Sequence, residues 1–142
     1  MQEETPWLPT IVTMPMDDSN HEGTVRLSVP AYPEFVRVVR LTAAGALSLG
    51  AYSMRFVDDV RAALSEACAL VIGDVGHPGT LDARLEIDGD RLWVEVCGDF
   101  ASPPTRDAAA DRLSERLLEP LVDQYEIDLG RDRVQFSKVH RD

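Results

Sequence analysis

The sequence is poor in the residues that mark secreted, metal-binding and membrane-spanning proteins. It has two cysteines and three histidines in 142 residues, and no apolar run approaches the ~18 residues that a membrane helix needs. Cys68 and Cys97 are not spaced as a ligand pair, so we interpret both as reduced, buried thiols. The scattered His21, His77 and His140 argue against a metal site. The acidic start of the chain lacks the pattern of a secretion signal, and we therefore expect a cytoplasmic protein.

Basic residues are also scarce. The chain has 14 basic and 25 acidic residues, a formal net charge of −11. Such a field repels nucleic acids and anionic membranes, so direct binding to either is not expected. The negative charge is compatible with a basic protein partner. It is equally compatible with a role in solubility alone.

The length and the 44% of apolar residues fit one domain with a single core. The first 23 residues, with three prolines and an acidic polar run, predict a flexible arm, and residues 24–142 form the predicted domain. Hydrophobic periodicity predicts strand, helix, helix, strand, strand, helix, strand, strand over 25–29, 33–49, 53–72, 81–87, 92–96, 107–123, 125–129 and 134–136. Pro120 should bend or shorten the last helix. This order predicts an α+β two-layer sandwich, with three helices on one face of a mixed, mostly antiparallel sheet.

The second predicted helix is the most informative segment. Its apolar residues repeat at helical spacing and predict one buried stripe: Phe56, Val60, Ala63, Leu64, Ala67, Cys68 and Val71. Glu66 lies on the flank of that stripe, where a carboxylate can face a cleft.

Residues 65–72, Ser-Glu-Ala-Cys-Ala-Leu-Val-Ile, resemble the N-box helix of the GHKL ATPase superfamily. The resemblance points to the small anti-sigma factors and serine-protein kinases of bacterial partner-switching systems. Residues 25–40, 85–96 and 117–127 are similar to the opening strand and helix, the hairpin, and the last helix of that family. The resemblance implies a GHKL (Bergerat-like) fold over about 25–139 in a degenerate member of the family.

The resemblance also assigns roles to residues of the nucleotide site. Glu66 corresponds to the general base, whereas Leu70 stands where the family has an asparagine that holds magnesium. Asp99 is the only carboxylate near the adenine-binding position, and Phe100 replaces part of the glycine pattern beside it. No glycine lies between positions 98 and 130, where the family has a phosphate-binding turn. We therefore predict a vestigial site with no metal and no cofactor.

Glu66 also has a purely structural interpretation, as a helix surface residue that pairs with Arg61 or Arg112. Similarly, Trp93 is either an exposed contact residue or part of the core or sheet face, and the second interpretation is favoured.

Three functions follow. The favoured one is a binding protein that sequesters an alternative sigma factor, or its STAS-type antagonist, and pairs as a homodimer as the resemblance implies. The alternative is a serine-protein kinase that phosphorylates the STAS-type antagonist with ATP and magnesium. A third is an α+β domain whose likeness to the family is accidental. Loss of the magnesium ligand favours a non-enzymatic protein, because phosphoryl transfer depends mainly on cation positioning.

Overall fold

The computed structural model describes residues 22–73 and 75–141. The predicted N-terminal arm lies outside the described residues except for its last two positions. Within the described part, five strands and three helices follow in the predicted order: β1 Glu22–Pro30, α1 Pro33–Leu47, α2 Met54–Ile72, β2 Gly79–Asp88, β3 Arg91–Phe100, α3 Ala108–Leu118, β4 Gln124–Asp128 and β5 Arg133–Val139. Strand β1 begins before its predicted start at Val25, because Glu22 is already paired with Asp88 of β2.

Local signals set the ends of the first two helices. Pro33 stands in the first turn of α1, where a missing N–H costs no helical hydrogen bond. The hydroxyl of Ser53 caps α2 by accepting the backbone N–H of Phe56 at 3.1 Å. Gly73 then ends α2 with a positive φ of 74°, which glycine adopts without strain.

Helix α3 is shorter than its hydrophobic pattern. It ends at Leu118, and a single 3₁₀ turn over Glu119–Leu121 follows instead of further α-helix. Pro120 lies inside that turn and has no N–H to continue the helical ladder. The predicted shortening at Pro120 is therefore confirmed.

The sheet has the strand order β1-β2-β3-β5-β4. Every pairing among the described strands is antiparallel, so the mixed element of the predicted sheet is absent there. Gly89, with φ +60°, makes the tight turn of the predicted β2–β3 hairpin. The α+β sandwich itself is confirmed.

Helix α2 lies at the centre of the core. All seven residues of its predicted stripe are buried, with at most 4% of their surface exposed. Leu70 and Ile72, near its C-terminal end, are buried as well. The helix packs against the inward faces of β2, β3 and β5, so the core lies between α2 and the sheet.

The other two helices bury fewer of the residues that their patterns suggest. The hydrophobic pattern of α1 predicts burial of Phe35, Val38, Val39, Thr42 and Ala46. The buried positions are Val39, Ala43 and Leu47, whereas Val38 is 41% exposed and the other three are only partly buried. In α3 only Leu118 is buried, while Leu113 and Leu117 are exposed. Both helices cover α2 from the side and leave apolar surface open to solvent.

Trp93 lies on the open face of the sheet. The Arg84 guanidinium stands 5.0 Å from the centre of its ring, and Arg84 also pairs with Glu86 at 2.6 Å. Trp93 is half-buried there and lies outside the core. None of the described helices has the length and apolar character required to cross a membrane.

Leu64→Ala tests the central role of α2. Leu64 is fully buried, so we expect the free energy of unfolding to fall by ~2–5 kcal/mol in denaturant titrations. The matched control is Leu49→Ala at a 59% exposed position, for which the change should stay within ~0.5 kcal/mol. Equal effects of the two substitutions would contradict the assigned core.

Asp123→Asn tests an electrostatic contact at the end of the sheet. The Val139 N–H donates to the Asp123 carboxylate at 2.6 Å, and Arg141 donates at 3.0 Å. The hydrogen bond from Val139, and to a lesser extent that from Arg141, lowers the pKa of Asp123 below its ordinary value. The stabilisation is therefore fully present at a pH above the ordinary pKa of an aspartate, and it is lost as the pH falls through the lowered pKa. The substitution should lower the unfolding free energy at pH 7 and have no effect in strong acid. An equal loss at both pH values would contradict this account.

Candidate functional site

Glu66 is half-buried on the flank of α2, where the sequence pattern predicts it. Neither predicted ion pair is formed: Arg61 pairs with Asp58 at 3.8 Å, and Arg112 is exposed without an ion pair among the described residues. No other basic group of the described residues lies within ion-pair distance of the Glu66 carboxylate.

Leu70 follows Glu66 by one helical turn and has a different environment. Only 1% of its surface is exposed, and its side chain belongs to the main apolar core. The position that the resemblance assigns to the magnesium ligand thus points an aliphatic group into the protein. A hydrated cation cannot replace such contacts without opening the core.

Asp99 lies near the end of β3, opposite Thr80 of β2, with an exposed side chain. Beside it, the ring of Phe100 packs over Gly98 so closely that a Cβ at Gly98 would overlap the ring. An aromatic ring therefore covers the backbone that the resemblance leaves open to a nucleotide. Glu66 and Asp99 lie on adjacent elements, and no described contact joins their side chains.

The start of α3 is the place where the resemblance expects a phosphate group. The Asp107 carboxylate caps this end by accepting the backbone N–H of Ala109 at 3.0 Å. Asp111 adds a second acidic group in the first turn. Free N–H groups and positive potential are what a helix start offers an anion, and here a carboxylate already occupies that role.

Arg106 is a residue of this region that the sequence analysis missed. Its guanidinium donates to the carbonyl oxygens of Leu70 and Val71, the latter at 3.2 Å, and to the Asp132 carboxylate at 2.8 Å. No motif marks it, because its partners are two backbone carbonyls and a residue 26 positions away.

The two cysteines and the possible metal ligands of the described residues are further candidate site residues. Burial raises the pKa of Cys68 to about 12; burial and the neighbouring Glu95 raise the pKa of Cys97 to about 11. Both cysteines are free thiols. In the described part of the chain, no group of three or more His, Cys, Asp or Glu side chains has the geometry to hold a metal ion. Leu70, the position that the resemblance assigns to the magnesium ligand, carries no oxygen or nitrogen donor on its side chain.

A groove of about 530 Å³ lies between α1 and α2. Arg37, Arg40 and Ser65 line part of it, and Arg40 donates to the Ser65 hydroxyl at 3.3 Å. The Glu34 carboxylate also lines the groove, so two guanidinium groups and one carboxylate border it.

Comparison with known proteins places the fold and site in context. No family model matches the chain. It is 29% identical over 127 residues to serine-protein kinase RsbW of Bacillus subtilis, covering 76% of this chain and 79% of that protein. The kinase of the same name from Bacillus velezensis is 30% identical over 122 residues, covering 72% and 76%. That from Bacillus pumilus is 29% identical over 124 residues, covering 72% and 76%.

Leu70→Asn tests whether the magnesium ligand can be restored by one substitution. An amide at this buried position loses apolar contacts and lacks partners, so we expect a loss of ~3 kcal/mol or more in unfolding free energy. Adding Mg²⁺ should not raise the melting temperature of the variant. Leu117→Asn, at a 47% exposed position of α3, is the matched control and should be nearly neutral. Stabilisation of the Leu70 variant by Mg²⁺ would contradict the core assignment.

Proposed function

This chain belongs to the RsbW family of serine-protein kinases, and on this premise we propose that it is an anti-sigma-type binding protein that needs no ATP. In this proposal it sequesters an alternative sigma factor, or the STAS-type antagonist that competes for it. It acts in the cytoplasm as a homodimer and binds neither nucleic acid nor membrane.

The burial of Leu70 is the observation that carries the proposal. Phosphoryl transfer depends on a cation that neutralises and positions the phosphates, and the cation-binding position here is part of the core. The Asp107 carboxylate at the start of α3 adds negative charge where phosphates would otherwise bind. Together these features favour a scaffold used for binding over one used for catalysis.

The surface supports a protein partner. Large apolar side chains are exposed on several elements of the described chain, at Val38, Leu41, Leu49, Met54, Val75, Leu113 and Leu117. Exposed apolar groups bordered by charge are typical of protein-binding surfaces. The net charge of −11 would steer the chain toward basic surfaces of such partners.

A second candidate function is a serine-protein kinase that phosphorylates the STAS-type antagonist. Glu66 favours it, because the carboxylate is half-buried without an ion pair among the described residues, as a general base requires. The relatives are also named as kinases. This function would require ATP and magnesium to be held by groups other than Leu70.

Calorimetric titration separates the two functions. Each purified sigma factor of the host is titrated into the chain with and without ATP and Mg²⁺. We expect one to bind with dissociation constants that agree within about twofold in both buffers, because a ligand that does not bind cannot couple to another. Glu66→Gln and Asp99→Asn should leave this affinity unchanged.

Direct titration with ATP and Mg²⁺ provides the opposing result. Micromolar ATP affinity, together with phosphate transfer to the STAS-type protein that Glu66→Gln abolishes, would establish the kinase and overturn the first proposal. Binding of no sigma factor and no STAS-type protein would contradict both.

A further inference from the structure

Residues 101–107 connect β3 to α3 and form a short strap against the C-terminal end of α2. The approach is close: the carbonyl oxygen of Thr105 is 3.0 Å from the point that a Cβ on Gly73 would occupy. A side chain at position 73 would therefore push the strap away from the helix. Gly73 thus allows both the termination of α2 and the close packing of the strap against it.

Arg106 fastens the strap to the helix. The last carbonyls of a helix lack partners within it, and α2 has no basic residue in its own last turn. Arg106 donates to two of these carbonyls, those of Leu70 and Val71. Its positive charge also opposes the negative end of the helix dipole.

The same guanidinium reaches a third element through Asp132. The Asp132 residue lies in the connection between β4 and β5 with a positive φ of 51°, and its carbonyl accepts the N–H of Gly98 at 2.8 Å. The backbone of Asp132 is therefore fixed, and this places its carboxylate next to Arg106. The side chains of the pair are only 20% and 28% exposed, so solvent screens the interaction less than it screens a surface pair.

His77 provides a second fastening. Its Nε2 accepts the backbone N–H of Thr105 at 3.3 Å, while its own backbone N–H donates to Ala31 at 3.0 Å. The imidazole ring meets Phe100 edge-on, with 6.1 Å between ring centres. The residue before Arg106 is thus tied to the loop that follows α2.

We propose that Arg106 is a positioning residue that holds the strap closed with the chain's own groups, so that the placement of α3 against α2 requires no bound nucleotide. The carbonyls, Asp132 and His77 supply the contacts that order this segment. This inference rests on the proposed function, in which partner binding is independent of ATP.

Hydrogen–deuterium exchange of the full chain, followed by mass spectrometry, tests the proposal without any partner. We expect ATP and Mg²⁺ to leave the exchange of residues 101–107 unchanged in the wild type. Arg106→Ala should accelerate exchange of the Thr105 amide, whose hydrogen bond to His77 requires the strap to be docked, about tenfold or more, as expected when charge-assisted hydrogen bonds are lost. Arg106→Lys should restore only part of the protection, because an ammonium group lacks the planar fork.

The matched control is Arg131→Ala. Arg131 lies beside Asp132 and pairs with Asp128 at 3.7 Å, but its side chain is 76% exposed. Its loss should leave the strap protected. If Arg106→Ala accelerates exchange throughout α2 as well, Asp132→Asn decides, because it keeps the carbonyl contacts and should still accelerate exchange of the strap alone.

Strap exchange that is unchanged in both Arg106→Ala and Asp132→Asn, or that ATP and Mg²⁺ slow in the wild type, would overturn the inference. Failure of the proposed function would be seen in a different experiment, because no sigma factor would then form a complex in the titrations. Where a complex forms, Arg106→Ala should weaken it and Arg106→Lys should partly restore it, whereas the control Arg131→Ala should leave its affinity unchanged.

Discussion

Burial of the apolar stripe of α2 against the sheet is the constraint on which the rest of the structure depends. The stripe includes Leu64, and Leu70 is buried beside it, so the helix cannot rotate about its axis without exposing one or the other. Its fixed rotation sets the direction of Glu66, and its C-terminal carbonyls define where Arg106 binds. Core packing and the character of the candidate site are therefore two results of the same helix orientation.

The periodicity of α2 was enough to predict its buried face, because its polar residues separate the two sides clearly. In α1 the same reasoning was less successful: of the five residues predicted to be buried only Val39 is, because apolar residues occur on several sides of that helix and packing against α2 selects Val39, Ala43 and Leu47. The leucines of α3 show the converse, since Leu113 and Leu117 follow helical spacing without being buried. Periodicity indicates a helix, but neighbouring elements decide which face is covered.

The sequence likewise predicted some features of the candidate site and missed others. The replacement of a magnesium ligand by Leu70 was visible in the sequence, because the resemblance gives that position a role. The contacts of Arg106 were not visible, since they join two backbone carbonyls and a residue distant in sequence. An aspartate at a helix start is a recognised cap, and Asp107 stands at the start of the predicted helix, but its hydrogen bond is seen only in the structure. Whether residues 1–23 form a separate arm stays a prediction, as nearly all of them lie outside the described residues.

The two consecutive prolines of the strap have a consequence for the unfolded chain. Pro103 and Pro104 fix their φ angles before folding begins, so two of the seven strap residues lose little backbone freedom when the segment docks. At ~1–2 kcal/mol for each residue ordered, this restriction in the denatured ensemble lowers the entropic penalty of docking. Much of the order of the segment is thus encoded in its covalent chemistry, before any tertiary contact has formed.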